Sequence, residues 1–294
     1  MQKVNWGIIG LGRIAHEFAL SFNEVSNANL LSVASQDHDR LDDFKKKFNL
    51  NSKYSFPDYR DLINCNEVDI IYIALPHSLH FEWIVNCLNA NKNVLTEKPA
   101  TINLSEIKKI NKILDYKKVF FAEGFMYRFN PQTVELINII KKKKIGKLLK
   151  MESFFGNNIA YKKNLFGKLK LKTNLKSRLF DKNLGGGAIL DLGCYPVSLS
   201  VLIASLLENS KNTKIELLNK NIEYGPSEVD LDSYADIKFS NNFVSSIGCS
   251  FTKDLGQKTK IYGSSGEIYL EKTWRSQEPI ILVNGIFIVE ISCV

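Results

Sequence analysis

The stretch "GIIGLGRIA", residues 7–15, decides the fold. It overlaps the end of an apolar run, "KVNWGII" (3–9), and its small residues Gly10, Gly12 and Ala15 match G-x-G-x-x-[G/A]. The first glycine permits a tight turn, the second lets a diphosphate approach the backbone, and the small third residue lets helix and strand pack closely. Similar patterns occur in turns that bind nothing, so the surroundings carry the reading. Here the motif follows a strand, opens an amphipathic run at Arg13 and heads a β/α series, the context a dinucleotide site requires. Gly10, Gly12, Arg13 and Ile14 are the first candidates for cofactor contact.

Working outward, short apolar runs alternate with helical periodicity: "NLLSVAS" (29–35), a helix from about Asp39, "VDIIYIAL" (68–75), a helix from Phe81, "NVLT" (93–96), a helix from Leu104 and "VFFAE" (119–123). The runs are apolar on consecutive residues, as a parallel sheet covered on both faces demands. The expectation is an α/β chain whose residues 1–122 form a doubly wound parallel Rossmann sheet. After Glu123 the segments lengthen and alternate, as in "KLLKMESFFG" (147–156), "KIELLNKNIEY" (214–224) and "FVSSIGCSF" (243–251). They predict an α+β domain over 123–294 on a largely antiparallel open sheet, interrupted by one long helix, "GGGAILDLGCYPVSLSVLIASLL" (185–207). Another helix is expected from Asn130-Pro131, with asparagine accepting from the first amides, to the lysine run Lys141 to Lys144. The basic stretch between Ala160 and Leu184 lacks periodicity and reads as a loop.

With 294 residues and 45% hydrophobic composition, two packed domains are favoured over disorder. The formal charge of +8 comes from lysines scattered among asparagines, not from a basic and aromatic stripe, so no nucleic-acid partner is expected. Cys65, Cys87, Cys194, Cys249 and Cys293 contain no C-x-x-C pair, which argues against a disulfide framework or zinc knuckle. "MQKVNWGIIG" shows no signal-type block, and no run reads as a membrane span; a cytoplasmic protein with no membrane partner is the expectation.

The second strand ends "VASQD" (33–37). Ser35, Gln36 and nearby Arg40 suit the 2′-phosphate of NADP, whereas Asp37 suits the ribose hydroxyl of NAD; the balance leans to NADP with NAD kept open. "ALPHSLH" (74–80) places Leu75, Pro76 and His80 beyond another strand end, where the ligand crevice of such sheets lies. Histidines three apart also fit a plain helix start with one packed and one solvated ring, and without further ligands no metal is assigned. "NVLTEKPATINLSE" (93–106) sets Glu97, Lys98 and Pro99 directly behind a strand. A lysine there is ordinarily a solvated charge, but proline biases it toward extended backbone and the strand end aims it at the crevice. Asp191 and Tyr195, four apart beside a glycine triplet, share one helical face. They fit simple capping and packing, and equally a carboxylate and phenol that exchange a proton.

With "GIIGLGRIA", "ALPHSLH", "TEKPA", "AEGFMYRFNPQ" and "GGGAILDLGCY" in this order, the chain resembles the Gfo/Idh/MocA oxidoreductases. Glu-Lys-Pro and the later Asp-x-x-x-Tyr are far more specific in combination than the glycine motif. Tyrosine at 195, where many members carry histidine, is similar to the branch of glucose-fructose oxidoreductase, dimeric dihydrodiol dehydrogenases and NADP-dependent D-xylose dehydrogenases. The resemblance implies NAD(P)-dependent hydride transfer to or from a sugar or cyclic polyol. It implies Lys98 and Tyr195 as the catalytic pair, Asp191 orienting substrate or tyrosine, and Glu97, Lys98 and Arg128 near the cofactor. Asn130 stands where many relatives have histidine, and the chain stops at "NGIFIVEISCV", where relatives usually continue into a closing helix; a shortened second domain is expected. The exposed face of an antiparallel sheet favours a homodimer or homotetramer. The competing reading is a nucleotide-binding sensor of the same fold without turnover.

Overall fold

The computed structural model describes residues 3–163, 169–171, 177–207, 214–275, 280–284 and 286–290, in two compact units, Met1–Gly124 and Phe125–Val294. In the first, β1 (Val4–Ile9), β2 (Ala28–Ala34), β3 (Ser55–Phe56), β4 (Ile70–Ile73), β5 (Asn93–Thr96) and β6 (Phe121–Glu123) form a six-stranded sheet in the order β3-β2-β1-β4-β5-β6. Every pairing is parallel. The helices are α1 (Arg13–Leu20), α2 (His38–Lys47), α3 (Tyr59–Ile63), α4 (His77–Asn89) and α5 (Leu104–Leu114).

The consecutive apolar residues divide between two cores. Ile9, Ile71 and Ile73 pack with Leu62 of α3 and Trp83, Ile84 and Leu88 of α4. Ile8, Val33 and Tyr72 pack with Ala15 and Ala19 of α1 and with Leu41 and Phe44 of α2. Two features depart from the sequence reading. α4 begins at His77, not Phe81, because Pro76, held at φ −58° as its N-cap, leads straight into the helix and brings both histidines into its first turn. β3 and α3 are new; two strand residues and five helical ones are too short to show a period.

The second unit contains α6 (Pro131–Lys141), β7 (Leu148–Gly156), β8 (Tyr161–Lys163), β9 (Leu169–Leu171), α7 (Cys194–Ser205), β10 (Ile215–Tyr224), β11 (Asp230–Phe239), β12 (Val244–Ser250), β13 (Thr259–Gly263), β14 (Gly266–Leu270), β15 (Ile280–Val283) and β16 (Ile286–Glu290). Its eight-stranded sheet runs β10-β11-β12-β7-β13-β14-β15-β16. All pairs are antiparallel except β12 with β7. Alternation sorts the faces: Met151, Ser153 and Phe155 of β7 are buried on the side of α7, while Lys150 and Glu152, which alternate with them, are partly exposed.

Four expectations are corrected here. Asn130 caps α6 through its carbonyl, which accepts from the Thr133 and Val134 amides, and its side chain makes no capping bond. The stretch read as a loop contains the antiparallel pair β8 and β9; residues 164–168 and 172–176 lie outside the described ones. The long helix is not uniform, for a π-helical turn at Ile189–Gly193 precedes α7. Pro196 supplies a reason: it has no amide for a regular bond, and its ring crowds the carbonyl one turn back. Finally, the helical stretch Lys182–Ser205 is long and apolar enough to cross a membrane, but 61% of its most apolar window is buried, as in a core helix.

Candidate functional site

Register levels the strand ends of the first unit. Gly10 N–H donates to the Ala34 carbonyl (3.1 Å), Ala74 to Ile9 (2.8 Å), Glu97 to Ile73 (2.9 Å) and Gly124 to Thr96 (2.7 Å). Ser35, Gly10, Ala74 and Glu97 therefore stand one step beyond a line of paired residues, with Leu75, Pro76 and Lys98 directly after them. The strand order reverses between β1 and β4, which places a crevice at this end of the sheet.

At the reversal Gly10 has φ +86°, and a Cβ there would lie 2.6 Å from the Ala74 carbonyl oxygen. Only glycine fits. Gly12 is the opposite case: a Cβ would meet nothing within 4 Å. It is also the N-cap of α1, and having no side chain it does not compete with a dinucleotide diphosphate for the first amides of that helix. Ala15 is fully buried behind them, and the exposed Arg13 pairs with Glu17 at 2.6 Å.

At the β2 tip, the buried Ser35 hydroxyl accepts from the Asp37 amide at 3.2 Å, and Gln36 is exposed. The Asp37 carboxylate accepts from the Arg40 amide at 3.1 Å, capping α2, and pairs with the Arg40 guanidinium at 3.1 Å. The carboxylate suited to a ribose hydroxyl is thus engaged by a helix end and a cation.

The Glu-Lys-Pro loop is held on both sides of Lys98. Tyr72, nearly fully buried, donates its hydroxyl to Glu97 at 2.5 Å. The Ala100 amide donates to the Glu123 carboxylate at 2.8 Å. His80, 0% exposed, places Nδ1 2.8 Å from the Pro99 carbonyl and Nε2 2.8 Å from the Leu75 carbonyl. His77, also buried, lies edge-on to it, 5.8 Å between ring centres. The Lys98-Pro99 peptide is cis.

In the second unit Tyr195 is 6% exposed and boxed by aromatic rings: Phe155 at 5.4 Å, Phe125 at 5.6 Å, Trp274 at 5.6 Å and Tyr127 at 6.1 Å between centres. One helical turn on, Ser198 meets the Tyr127 hydroxyl at 2.9 Å and receives an N–H from Arg128 at 2.9 Å, and the guanidinium also lies 5.7 Å from the Phe125 ring centre. Burial pushes the Tyr127 phenol above its ordinary range, against the lowering effect of Ser198 and Arg128. Asp191, on the π turn, pairs with Arg178 at 3.3 Å. That turn is anchored by Asp230, which accepts the Ile189 amide and the Ser233 hydroxyl, each at 2.8 Å. Gly187, at φ +115°, is where the Asp230 carboxylate packs against the backbone, in space that any Cβ would take.

Two family models match. The oxidoreductase family model for the NAD-binding Rossmann fold covers residues 4–125, and the GFO/IDH/MocA C-terminal domain covers 133–269. The chain belongs to the Gfo/Idh/MocA oxidoreductases. It is 28% identical over 286 residues to mouse trans-1,2-dihydrobenzene-1,2-diol dehydrogenase, covering 97% of this chain and 79% of the relative. The human enzyme of the same name is 25% identical over 271 residues, covering 92% and 75%. Among solved structures, an aldose-aldose oxidoreductase from Caulobacter crescentus superposes with TM-score 0.82 at 18% identity, covering 97% and 82%. A 3-ketoreductase from Actinomadura kijaniata, in complex with NADP and TDP-benzene, gives 0.79 at 20%, covering 96% and 82%. These two likenesses concern the fold.

For this Gfo/Idh/MocA chain, one sheet end gathers Gly10, Gly12, Ser35, Leu75, Pro76, Glu97 and Lys98, and its open Gly12 turn fits the nicotinamide dinucleotide of the family. Arg128, Asp191 and Tyr195 belong to the second unit. Tyr72, Glu123, Arg178 and Asp230 escaped the sequence reading. For Tyr72, Glu123 and Asp230 the only sequence signal is a polar group inside or at the edge of an apolar strand, with a partner more than twenty residues away; Arg178 sits in a short turn of the aperiodic basic stretch, where nothing marks it.

Proposed function

We propose that the protein catalyses reversible NAD(P)-dependent oxidation of a CH–OH group in a sugar or cyclic diol. The observation that carries this reading is the anchoring of Lys98 on both sides at the crevice end of the Rossmann sheet. Dihydrodiol dehydrogenases among the relatives support the substrate class. Gly10, Gly12, the first turn of α1, and Leu75 with Pro76 would hold the dinucleotide. When bound it accepts or donates the hydride. Tyr195 takes the substrate hydroxyl proton, and Lys98 donates a hydrogen bond to the reacting oxygen and favours the phenolate by its charge. Asp191, braced by Arg178, orients the substrate or the tyrosine, and Arg128 contributes positive charge near cofactor or substrate.

NADP is the preferred cofactor in this reading, because Asp37 is taken up by α2 and Arg40, and the Arg40 guanidinium at the β2 tip, 65% exposed even when paired, can still meet a 2′-phosphate. A cytoplasmic homodimer or homotetramer assembled through the second sheet completes it. The test is turnover of Tyr195→Phe and Lys98→Met on trans-dihydrodiols and aldoses with NADP. Each variant is expected to lose at least about 100-fold in kcat while still binding NADP. Near wild-type rates in both would overturn the residue roles, and NADP binding without turnover by the wild-type chain would favour a sensor.

A further inference from the structure

We propose that His80 is a buried, doubly protonated imidazolium that ties the turn after β4 to the Glu-Lys-Pro loop and thereby positions Lys98. This rests on the reading of Lys98 as a catalytic residue. Both ring nitrogens sit 2.8 Å from backbone carbonyl oxygens, Nδ1 from Pro99 and Nε2 from Leu75. Carbonyl oxygens only accept. A neutral imidazole has one N–H, so its other nitrogen would set a lone pair against a carbonyl lone pair inside hydrogen-bond distance. Turning the ring over would bring C–H groups to the same oxygens, well inside the ~3.3–3.6 Å of ordinary C–H···O contacts. Only the imidazolium satisfies both carbonyls, and the ring is 0% exposed, so water relieves neither.

The charged groups on the packed elements are of both signs. Glu97 and Glu123 bracket the loop that receives the Nδ1–H, the first bound to Tyr72 and the second to the Ala100 amide. On α5, Glu106 accepts the Ile102 amide at 3.2 Å, and Lys109 lies 5.6 Å from the Phe81 ring centre. His77 is the other titratable ring beside His80, and Lys98 itself follows Glu97. The result is a strut across two adjacent strand ends, one bearing Leu75 and Pro76 and the other Lys98. Its charge makes both bonds strong ones. A side chain with one donor keeps only one end of the strut.

The experiment is 15N NMR of the full chain labelled at histidine, near pH 7. His16→Gln, His38→Gln and His77→Gln assign the other three rings by elimination. Two protonated ring nitrogens on His80 are expected; one bare nitrogen overturns the proposal without touching the assignment of Lys98, which Lys98→Met tests separately. The positioning role is read from His80→Asn and His80→Gln. Both should keep NADP affinity within about threefold, yet lose about 100-fold in kcat, the cost of a misplacement near 1 Å. A lowered melting temperature with unchanged kcat in the folded variants would make His80 merely structural and overturn the positioning.

Discussion

Gly10 and Gly12 lie two residues apart in one motif and face opposite constraints. At Gly10 the positive φ and the Ala74 carbonyl both exclude a side chain, so Gly10→Ala should cost about 3 kcal/mol of stability in urea unfolding. At Gly12 a Cβ meets open space, so Gly12→Ala should unfold within about 0.5 kcal/mol of wild type but bind NADP at least tenfold more weakly, since the methyl would occupy the diphosphate's approach. Equal losses of stability in the two variants would contradict this division. Arg40 offers a separate test. Arg40→Ala should weaken NADP about tenfold in a fluorescence titration and leave NAD nearly unchanged. The sequence left the cofactor open because Asp37 suits the NAD ribose while Arg40 suits a 2′-phosphate; in the structure Asp37 caps α2 and pairs with Arg40 three residues on.

Among the elements, α5 and the π turn show how short-range and long-range polar contacts differ in legibility. In "TINLSE" the Asn103 side chain accepts the Glu106 amide at 3.1 Å and Glu106 accepts the Ile102 amide at 3.2 Å, a reciprocal cap. Asn103→Ala should therefore cost about 1 kcal/mol, measured by chemical denaturation. The π turn depends instead on Asp230, more than forty residues downstream of Gly187. Asp230→Ala leaves the Ile189 amide and Ser233 hydroxyl without that acceptor and should cost about 2–3 kcal/mol, with turnover falling further as Asp191 and Tyr195 lose their fixed base. Unchanged stability would mean the turn holds itself. Periodicity made the parallel strands, α1, α2, α5, α6 and most of the second sheet readable, because burial repeats within each segment. β3, α3, the early start of α4 and the widened turn before α7 were hidden, since they follow from contacts or from one proline rather than from a repeat.

For the molecule as a whole, the fold class was legible because both layers announce themselves by pattern: consecutive apolar residues in the first unit, alternation in the second. Alternation also defines the face of the second sheet opposite α7. There Lys150 and Glu152 of β7, Lys260 and Tyr262 of β13 and Glu267 of β14 form a paired polar band, with Lys150 to Glu152 at 2.7 Å, Tyr262 to Glu152 at 2.9 Å and Lys260 to Glu267 at 2.8 Å. Its pH behaviour follows from signs. The Lys150 hydrogen bond, outweighing burial, holds Glu152 below its ordinary value of 4.5, and the same bond raises Lys150 above 10.5. A depressed carboxylate contributes stability above its unfolded pKa that is lost as pH falls through its folded pKa; a raised lysine contributes stability below its unfolded pKa that is lost as pH rises through its folded one. The band is therefore fully stabilising between about pH 5 and 10 and weakens on either side. Because both side chains are about a third exposed or more, Glu152→Gln should cost under about 1 kcal/mol at neutral pH. Melting curves between about pH 7 and 3 should fall less steeply for the variant than for wild type, and parallel curves would show that Glu152 carries no part of the acid sensitivity.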